Sequence, residues 1–257
     1  MINEKALEET FLNLPEKKAI LLYGHAGYGK TYQVERLSRI FNLDIVKYPT
    51  FPMKKCIWFF EEAQKLSQKQ QENIPEMLDN QIIFDFSVEP TVETRIYTIF
   101  ATTNPNKISL PIRTRCFSFQ LTKYKPEEIF NILKNIEIPD GWKHEIVKRT
   151  RLIPRLAVDT ALYIKNLGDV ERGFSNLGID KIGLTETDRQ YLVLLFREGC
   201  LSLNQISSRL TLNDEAVEEM IESYFKEVGW ITISSRGRSL TEDGKKITLE
   251  VMRGCYR

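Results

Sequence analysis

The amino-acid sequence predicts an α/β fold in which a parallel-sheet domain is followed by a small all-helical domain and then by three helices with a hairpin. Three observations predict it. Short apolar runs alternate with polar helical stretches through the first half of the chain; the strand signal stops after Leu121; and three helices near the carboxyl end, the first capped by Thr185, give way to an extended pair.

The first-half runs are Ala19 to Tyr23, Leu43 to Tyr48, Cys56 to Phe60, Arg95 to Ala101 and Cys116 to Leu121. Apolar runs of this length, alternating with helices, read as buried strands of a mostly parallel sheet, because such strands are covered on both faces. Pro126-Glu127-Glu128 then opens a helix-rich segment to about Gly168, proline being suited to a first helical turn. Thr185 can cap a helix over Asp188 to Glu198, a second helix follows from Ser202 and a third from Asn213. With the extended pair around Arg236-Gly237-Arg238 these make a winged helix. A chain of 257 residues is long for one compact core, and the domains are expected at residues 1–122, 123–180 and 181–257.

Composition narrows the functions. Thirty-six Lys and Arg against 35 Asp and Glu leave a formal charge of +1, so no overall field draws the chain onto nucleic acid or membrane, and any polyanion site is local. Cys56, Cys116, Cys200 and Cys255 lie far apart without a C-x-x-C pair, and only two histidines could join them in a metal site, so they read as reduced thiols. No charged-then-apolar stretch opens the sequence and it shows no apolar run of membrane-spanning length, no internal repeat and no low-complexity tract, so the expectation is a soluble, cytoplasmic protein without a leader or a membrane partner.

The chemistry starts after the first strand, where Gly24-His25-Ala26-Gly27-Tyr28-Gly29-Lys30-Thr31 fits G-x-x-x-x-G-K-T without a mismatch. Glycines let backbone N–H groups curl round phosphates, Lys30 is placed to neutralise the β and γ oxygens, and the Thr31 hydroxyl suits Mg²⁺. The candidate nucleotide residues are therefore Gly24, Gly27, Tyr28, Gly29, Lys30, Thr31 and Tyr32, with His25 and Tyr28 as loop spacers rather than catalysts. ATP hydrolysis further needs a strand that ends in acids, and Cys56-Ile57-Trp58-Phe59-Phe60-Glu61-Glu62 supplies one. Glu61 takes the metal position usually held by aspartate, a methylene longer, and Glu62 is the candidate general base.

The acidic strand with Ala63-Gln64-Lys65-Leu66, then Ile74 to Asp79, Ala101-Thr102-Thr103-Asn104, Leu110-Pro111-Ile112-Arg113-Thr114-Arg115, Ile153-Pro154-Arg155 and Arg236-Gly237-Arg238 fall in the order of the RuvB family, which the chain resembles over nearly its whole length. The resemblance implies a three-domain AAA+ ATPase with a helical lid and a winged helix, working as a hexameric ring that moves DNA at Holliday junctions. It implies that Thr103 and Asn104 are a polar sensor near the γ-phosphate, although Asn104-Pro105 is also a common turn former. Arg115 looks like an arginine finger reaching the neighbouring subunit's nucleotide, with Arg113 as a second candidate, and Arg155 like a second sensor. Arg149 and Arg151 are expected to be solvated charges.

DNA contact is expected on the hairpin. The third helix of the winged unit carries Asp214, Glu215, Glu218, Glu219, Glu222 and Glu227 against Lys226 and should repel phosphate, while Val217, Met220, Ile221, Tyr224, Phe225 and Val228 form its core stripe. Arg236 and Arg238 flank Gly237 at the tip, with both guanidinium groups facing outward to hold phosphate without reading sequence. An ordinary exposed turn is the plainer alternative.

The likeness to the family is incomplete in two places. Little precedes the phosphate loop to hold adenine, and Gln81 to Glu93 reads as a trimmed form of the hairpin that engages the partner RuvA, so a RuvA-like partner is implied by resemblance alone. Two other readings stay open. Arg113-Thr114-Arg115-Cys116 is similar to a clamp-loader motif, though clamp loaders end in an all-helical collar; and Glu61 in the metal position would suit a scaffold that binds ATP and DNA with negligible turnover.

Overall fold

The computed structural model describes residues 3–52, 54–80 and 95–255, and divides into two compact units, 1–123 and 124–257. The segment 81–93 expected as a trimmed hairpin lies outside the described residues.

The first unit is a five-stranded parallel sheet: β1 (Ala19–Gly24), β2 (Asp44–Lys47), β3 (Cys56–Phe60), β4 (Ile96–Thr102) and β5 (Cys116–Leu121), in the order β2-β3-β4-β1-β5. The three inner strands carry the longest apolar runs, and β3 is buried at every position, as a strand covered on both faces requires. The edge strands β2 and β5 are half exposed, which matches their mixed composition. Helices α1 (Glu4–Leu12), α2 (Lys30–Phe41), α3 (Gln68–Asn80) and the single turn α4 (Leu110–Arg113) complete the unit. The core under β3 joins Leu21, Trp58, Phe60 and Phe100 to Ile74 and Leu78 of α3. Helix α1, which precedes the phosphate loop, buries Leu7 and Phe11 and is tied to α2 by Arg36 with Glu4 and Glu8.

The second unit holds two separate hydrophobic cores. Around Ile129, Leu133, Ile146, Ala157 and Phe174 pack α5 (Pro126–Leu133), α6 (Asp140–Arg149), α7 (Pro154–Leu167) and α8 (Val170–Asn176). Around Tyr191, Leu195, Ile206, Phe225 and Ile231 pack α9 (Glu186–Glu198), α10 (Leu203–Leu210), a third helical stretch, the hairpin of β6 (Ile231–Ser234) and β7 (Gly237–Leu240), and α13 (Glu242–Met252). Side chains of Thr185, Ser202 and Asn213 each accept a backbone N–H at the start of their helices; Thr185 caps α9 as expected, although the helix begins at Glu186, two residues before the expected Asp188. Leu201 bridges to Arg238, adding a short third element beside the hairpin.

The third stretch departs from the expected stripe. It runs as α11 (Asp214–Ala216), a π-helical segment Val217–Glu222 and α12 (Ser223–Glu227). A π turn holds more residues than an α turn and so rotates the helix beyond it about its axis. Met220, expected in the core, is consequently 67% exposed, while Glu222, expected on the acidic surface, is fully buried.

Arg149 and Arg151 are also not solvated. Arg149 is buried and donates to Glu145 and to both carboxylate oxygens of Glu171; the Arg151 side chain, only 9% exposed, contacts Asp188. Arg149 ends α6 and Arg151 lies two residues beyond it in the connection to α7, and each meets a carboxylate from an element distant in sequence.

Among the described residues no helix is long and apolar enough to cross a membrane, and no cluster of His, Cys, Asp and Glu is arranged for a metal ion. All four thiols are free. Burial raises the Cys56 thiol to about 11 and the Cys116 thiol to about 12, whereas Cys200 and Cys255 are exposed. At neutral pH, titration of the native protein with a thiol-reactive dye should therefore show two fast equivalents, assignable by peptide mapping to Cys200 and Cys255. Fast labelling at Cys56 would contradict the packing of β3.

Candidate nucleotide site and nucleic-acid surface

The nucleotide-site candidates gather at the carboxyl ends of β1, β3 and β4, where an open parallel sheet leaves its crevice. Gly24 ends β1 against β5: a Cβ there would lie 2.5 Å from the Leu121 carbonyl oxygen, so only glycine permits the turn. Gly27 and Gly29 take positive φ angles of 80° and 88°, the second as the N-cap of α2. The loop thus opens onto a helix N-terminus whose N–H groups can take a phosphate. Lys30 folds back across it, its Nζ donating to the carbonyls of Gly24 at 2.8 Å and His25 at 3.0 Å. Tyr28 is buried beside the His25 ring, and Tyr32 is 52% exposed with Arg39 over its face.

Thr31 Oγ1 donates to Glu61 Oε1 at 3.1 Å, so the first helical turn and the end of β3 present two hard oxygen groups side by side, the donor type Mg²⁺ takes. The other Glu61 oxygen holds Lys47 Nζ, from the end of β2, at 2.6 Å. Glu62 sits in the left-handed region with φ 54° and ψ 45°, a conformation uncommon for a residue other than glycine and often found where a side chain is aimed at a task. Its carboxylate contacts Lys65 at 2.9 Å and accepts from Gln64 at 3.1 Å.

Gln64 was not singled out by sequence reasoning, yet it ties the site together. Its amide donates to Glu62 while its Oε1 accepts the Thr102 hydroxyl at 2.8 Å and the Thr103 N–H at 3.4 Å. Strand β4 runs one residue beyond its expected end, which buries Thr102 completely and brings its hydroxyl to Gln64 in the turn that follows β3. The only sequence signal was strand alternation counted to the last residue. Asn104 accepts the Asn106 N–H through Oδ1 and caps the short turn Pro105–Lys107, so the turn chemistry of Asn-Pro is present.

Arg115 lies elsewhere. It precedes β5, and its carbonyl accepts the N–H of Ala19 at the amino end of β1. The phosphate loop leaves the opposite end of β1, roughly 17 Å away at about 3.3 Å per residue. The guanidinium makes a two-point contact with Asp79 at 2.9 and 2.6 Å and donates to the Pro111 carbonyl at 2.9 Å. This pairing holds the Asp79 carboxyl below its usual range and raises Arg115. Arg113 has its Nε buried without a hydrogen-bond partner. In the second unit, Arg155 occupies the first turn of α7 with its side chain 81% exposed, in loose contact with Asp159.

On the hairpin, Arg236 is exposed in the turn, but its two partners in the expected DNA contact are not available to a ligand. Gly237 is buried, and a Cβ there would overlap the Leu201 carbonyl oxygen: the glycine serves close strand packing. Arg238 points inward. Its Nε donates to Glu222 at 2.9 Å and its Nη2 to Glu218 at 3.1 Å, and Glu222 also accepts the buried Tyr191 hydroxyl at 3.0 Å. Alternation along β7 puts Arg238 on the face toward the third helix, where the π segment has brought Glu222 inward.

Comparison with known proteins agrees with this architecture. Residues 181–248 match the RuvB C-terminal winged helix domain. The Holliday junction branch migration complex subunit RuvB of Wolbachia sp. subsp. Brugia malayi is 27% identical over 88% of this chain and 82% of its own length, and that of Sulfurimonas denitrificans 26% identical over 92% and 84%. In structure, Thermotoga maritima RuvB superposes with a TM-score of 0.78 over 95% of this chain and 93% of that one, at 21% identity. Fold and relatives converge: the chain is similar to RuvB proteins over most of its length, shares the fold of Thermotoga maritima RuvB, and matches the RuvB C-terminal winged helix domain over residues 181–248.

Proposed function

We propose that the chain is an ATP-driven motor that translocates duplex DNA, acting as a hexameric ring of its own copies to drive branch migration at Holliday junctions. The observation that carries the ring is the separation within one sheet: the phosphate loop, Glu61 and Glu62 sit at the carboxyl ends of the strands and Arg115 at the amino ends. A side chain that far away cannot reach its own nucleotide, but it can complete the site of an adjacent copy.

In that site the loop N–H groups and Lys30 bind the ATP phosphates. Thr31 and Glu61 are the residues that would hold Mg²⁺, which when bound draws charge from the β and γ oxygens. Glu62 accepts the proton of the attacking water, with Gln64 fixing its position relative to β4. The polar end of β4, Thr103 and Asn104, orients that water. Arg115 of the neighbour, with Arg113 as the alternative, stabilises the transition-state charge, and Arg155 reports nucleotide state from the helical lobe. DNA is held without sequence preference by Arg236, one weak contact per copy multiplied round the ring. The relatives are subunits of a branch migration complex, which supports a RuvA-like junction-binding partner for this chain too.

The Lys47–Glu61 ion pair favours one second reading, an ATP- and DNA-binding scaffold with little turnover, because the ammonium occupies an oxygen of the metal-position acid. ATPase rates with and without junction DNA, for wild type and Glu62→Gln, beside a strand-migration assay, separate the two. The motor requires DNA-stimulated turnover that Glu62→Gln lowers roughly 10²- to 10⁴-fold. Wild-type protein with no stimulated turnover would leave the scaffold; turnover stimulated only by a sliding clamp would indicate a loader.

A further inference from the structure

The two lobes of the second unit are joined at a short connection that is built as a fixed joint. Asp180 accepts the N–H groups of Ile182 and Leu184 and the Arg189 guanidinium, drawing the connection into a tight turn. Gly183, with φ +82°, lies so close to the helical lobe that a Cβ would stand 2.7 Å from the Arg149 carbonyl oxygen.

Arg151 crosses the same boundary. It and Leu152 are consecutive non-glycine residues in the left-handed region, an uncommon arrangement between α6 and α7. Leu152 packs into the helical lobe. Arg151 reaches the winged-helix lobe, where it donates to the Gly183 carbonyl at 3.1 Å, the Met220 carbonyl at 3.4 Å and the buried Asp188 carboxylate, and lies over the Tyr224 ring at 4.5 Å. Asp188 in turn receives the N–H and hydroxyl of Thr185, so one carboxylate serves both the cap of α9 and the cross-lobe arginine.

We propose that Arg151 is a positioning residue that locks the winged-helix lobe to the helical lobe, so that displacement of α7 is carried to the wing as one rigid movement. Arg155 stands four residues beyond Arg151, on the first turn of α7. A nucleotide-dependent pull there would move the Arg151 anchor, and with it Gly183, α9 and the π segment that holds Arg238. A slack connection would lose such a displacement before it reached Arg236. The lock is a property of the unit itself; its use in transmission rests on the motor proposed for the chain.

Spin labels at Asn166→Cys on α7 and Lys246→Cys on α13, both exposed, in full-length protein with Cys200→Ser and Cys255→Ser, report the distance between lobes. The parent should give one narrow distribution. Arg151→Ala should broaden it, and so should Arg151→Gln with Asp188→Asn, which leaves no unpaired carboxylate buried and guards against simple misfolding. Distributions as narrow as the parent's in both variants, or a broad one in the parent, would overturn the lock. In the unlabelled protein Arg151→Gln/Asp188→Asn should keep DNA-stimulated ATPase while junction migration per ATP falls about tenfold; a parallel loss of both would overturn the transmission role. Absence of DNA-stimulated turnover in the wild type would end the motor reading, and the distance measurement would still decide the joint.

Discussion

Replacing Arg115 by alanine is expected to leave ATP binding intact and to lower hydrolysis by roughly 10³- to 10⁵-fold, the range for loss of an arginine finger. The size follows from where the residue sits. At the amino ends of β1 and β5 it contributes nothing to the phosphate loop of its own chain, so binding, followed with a fluorescent ATP analogue, has no reason to change. Its charge is also well prepared. The paired contact with Asp79 and the bond to Pro111 hold the guanidinium in one orientation while leaving it 28% exposed. Mixing Arg115→Ala with Glu62→Gln subunits should restore part of the activity, because some interfaces then join an intact Glu62 to an intact Arg115. Absence of rescue at every mixing ratio would remove the intersubunit site. Asp79→Asn is the control for local damage: Arg115 still donates to Pro111, and most turnover should remain.

The two wing arginines should behave in opposite ways. Arg238→Ala leaves Glu222, fully buried, without its cation, a loss of about 3–5 kcal/mol for a broken buried pair, and the winged-helix lobe should melt well below the wild type by calorimetry. Replacing both partners, as in Arg238→Met with Glu222→Gln, should recover much of that stability, since the penalty comes from the unpaired carboxylate and Tyr191 keeps an acceptor. Arg236→Ala should shift stability by no more than about 0.5 kcal/mol, as exposed substitutions do. It should instead weaken DNA binding evenly across sequences and flatten its salt dependence. Equal melting temperatures for Arg238→Ala and wild type would show that the network is not structural; unchanged DNA affinity in Arg236→Ala would take the wing out of the contact.

These contrasts mark where one-dimensional reading reaches its limit. The phosphate loop was legible because its chemistry is contiguous: glycines with positive φ, a lysine and a hydroxyl must come one after another for the backbone to close round a phosphate. The strands were legible from apolar runs, and the cap of α9 from Thr185, since a cap acts within three residues of itself. Glu61 and Glu62 were legible for the same reason, as acids immediately after a buried strand.

Features that depended on a partner far along the chain were not. Gln64 became a bridge only because β3 and β4 are neighbours in the sheet and Thr102 ends its strand facing it. Arg149, Arg151 and Arg238 carry the same charge as Arg236, and no local pattern tells the four apart; Glu171, Asp188 and Glu222, each at least 16 residues away, draw three of them inside. The π segment that turned Met220 out and Glu222 in is likewise absent from a count at 3.6 residues per turn. The sequence by itself therefore determined the fold class, the glycine loop after β1 and the acids at the end of β3, because these rest on short-range backbone chemistry. Only the tertiary structure decided which arginines stay exposed and which hold the molecule together, because a buried charge is settled by the carboxylate that meets it and not by its neighbours in the chain.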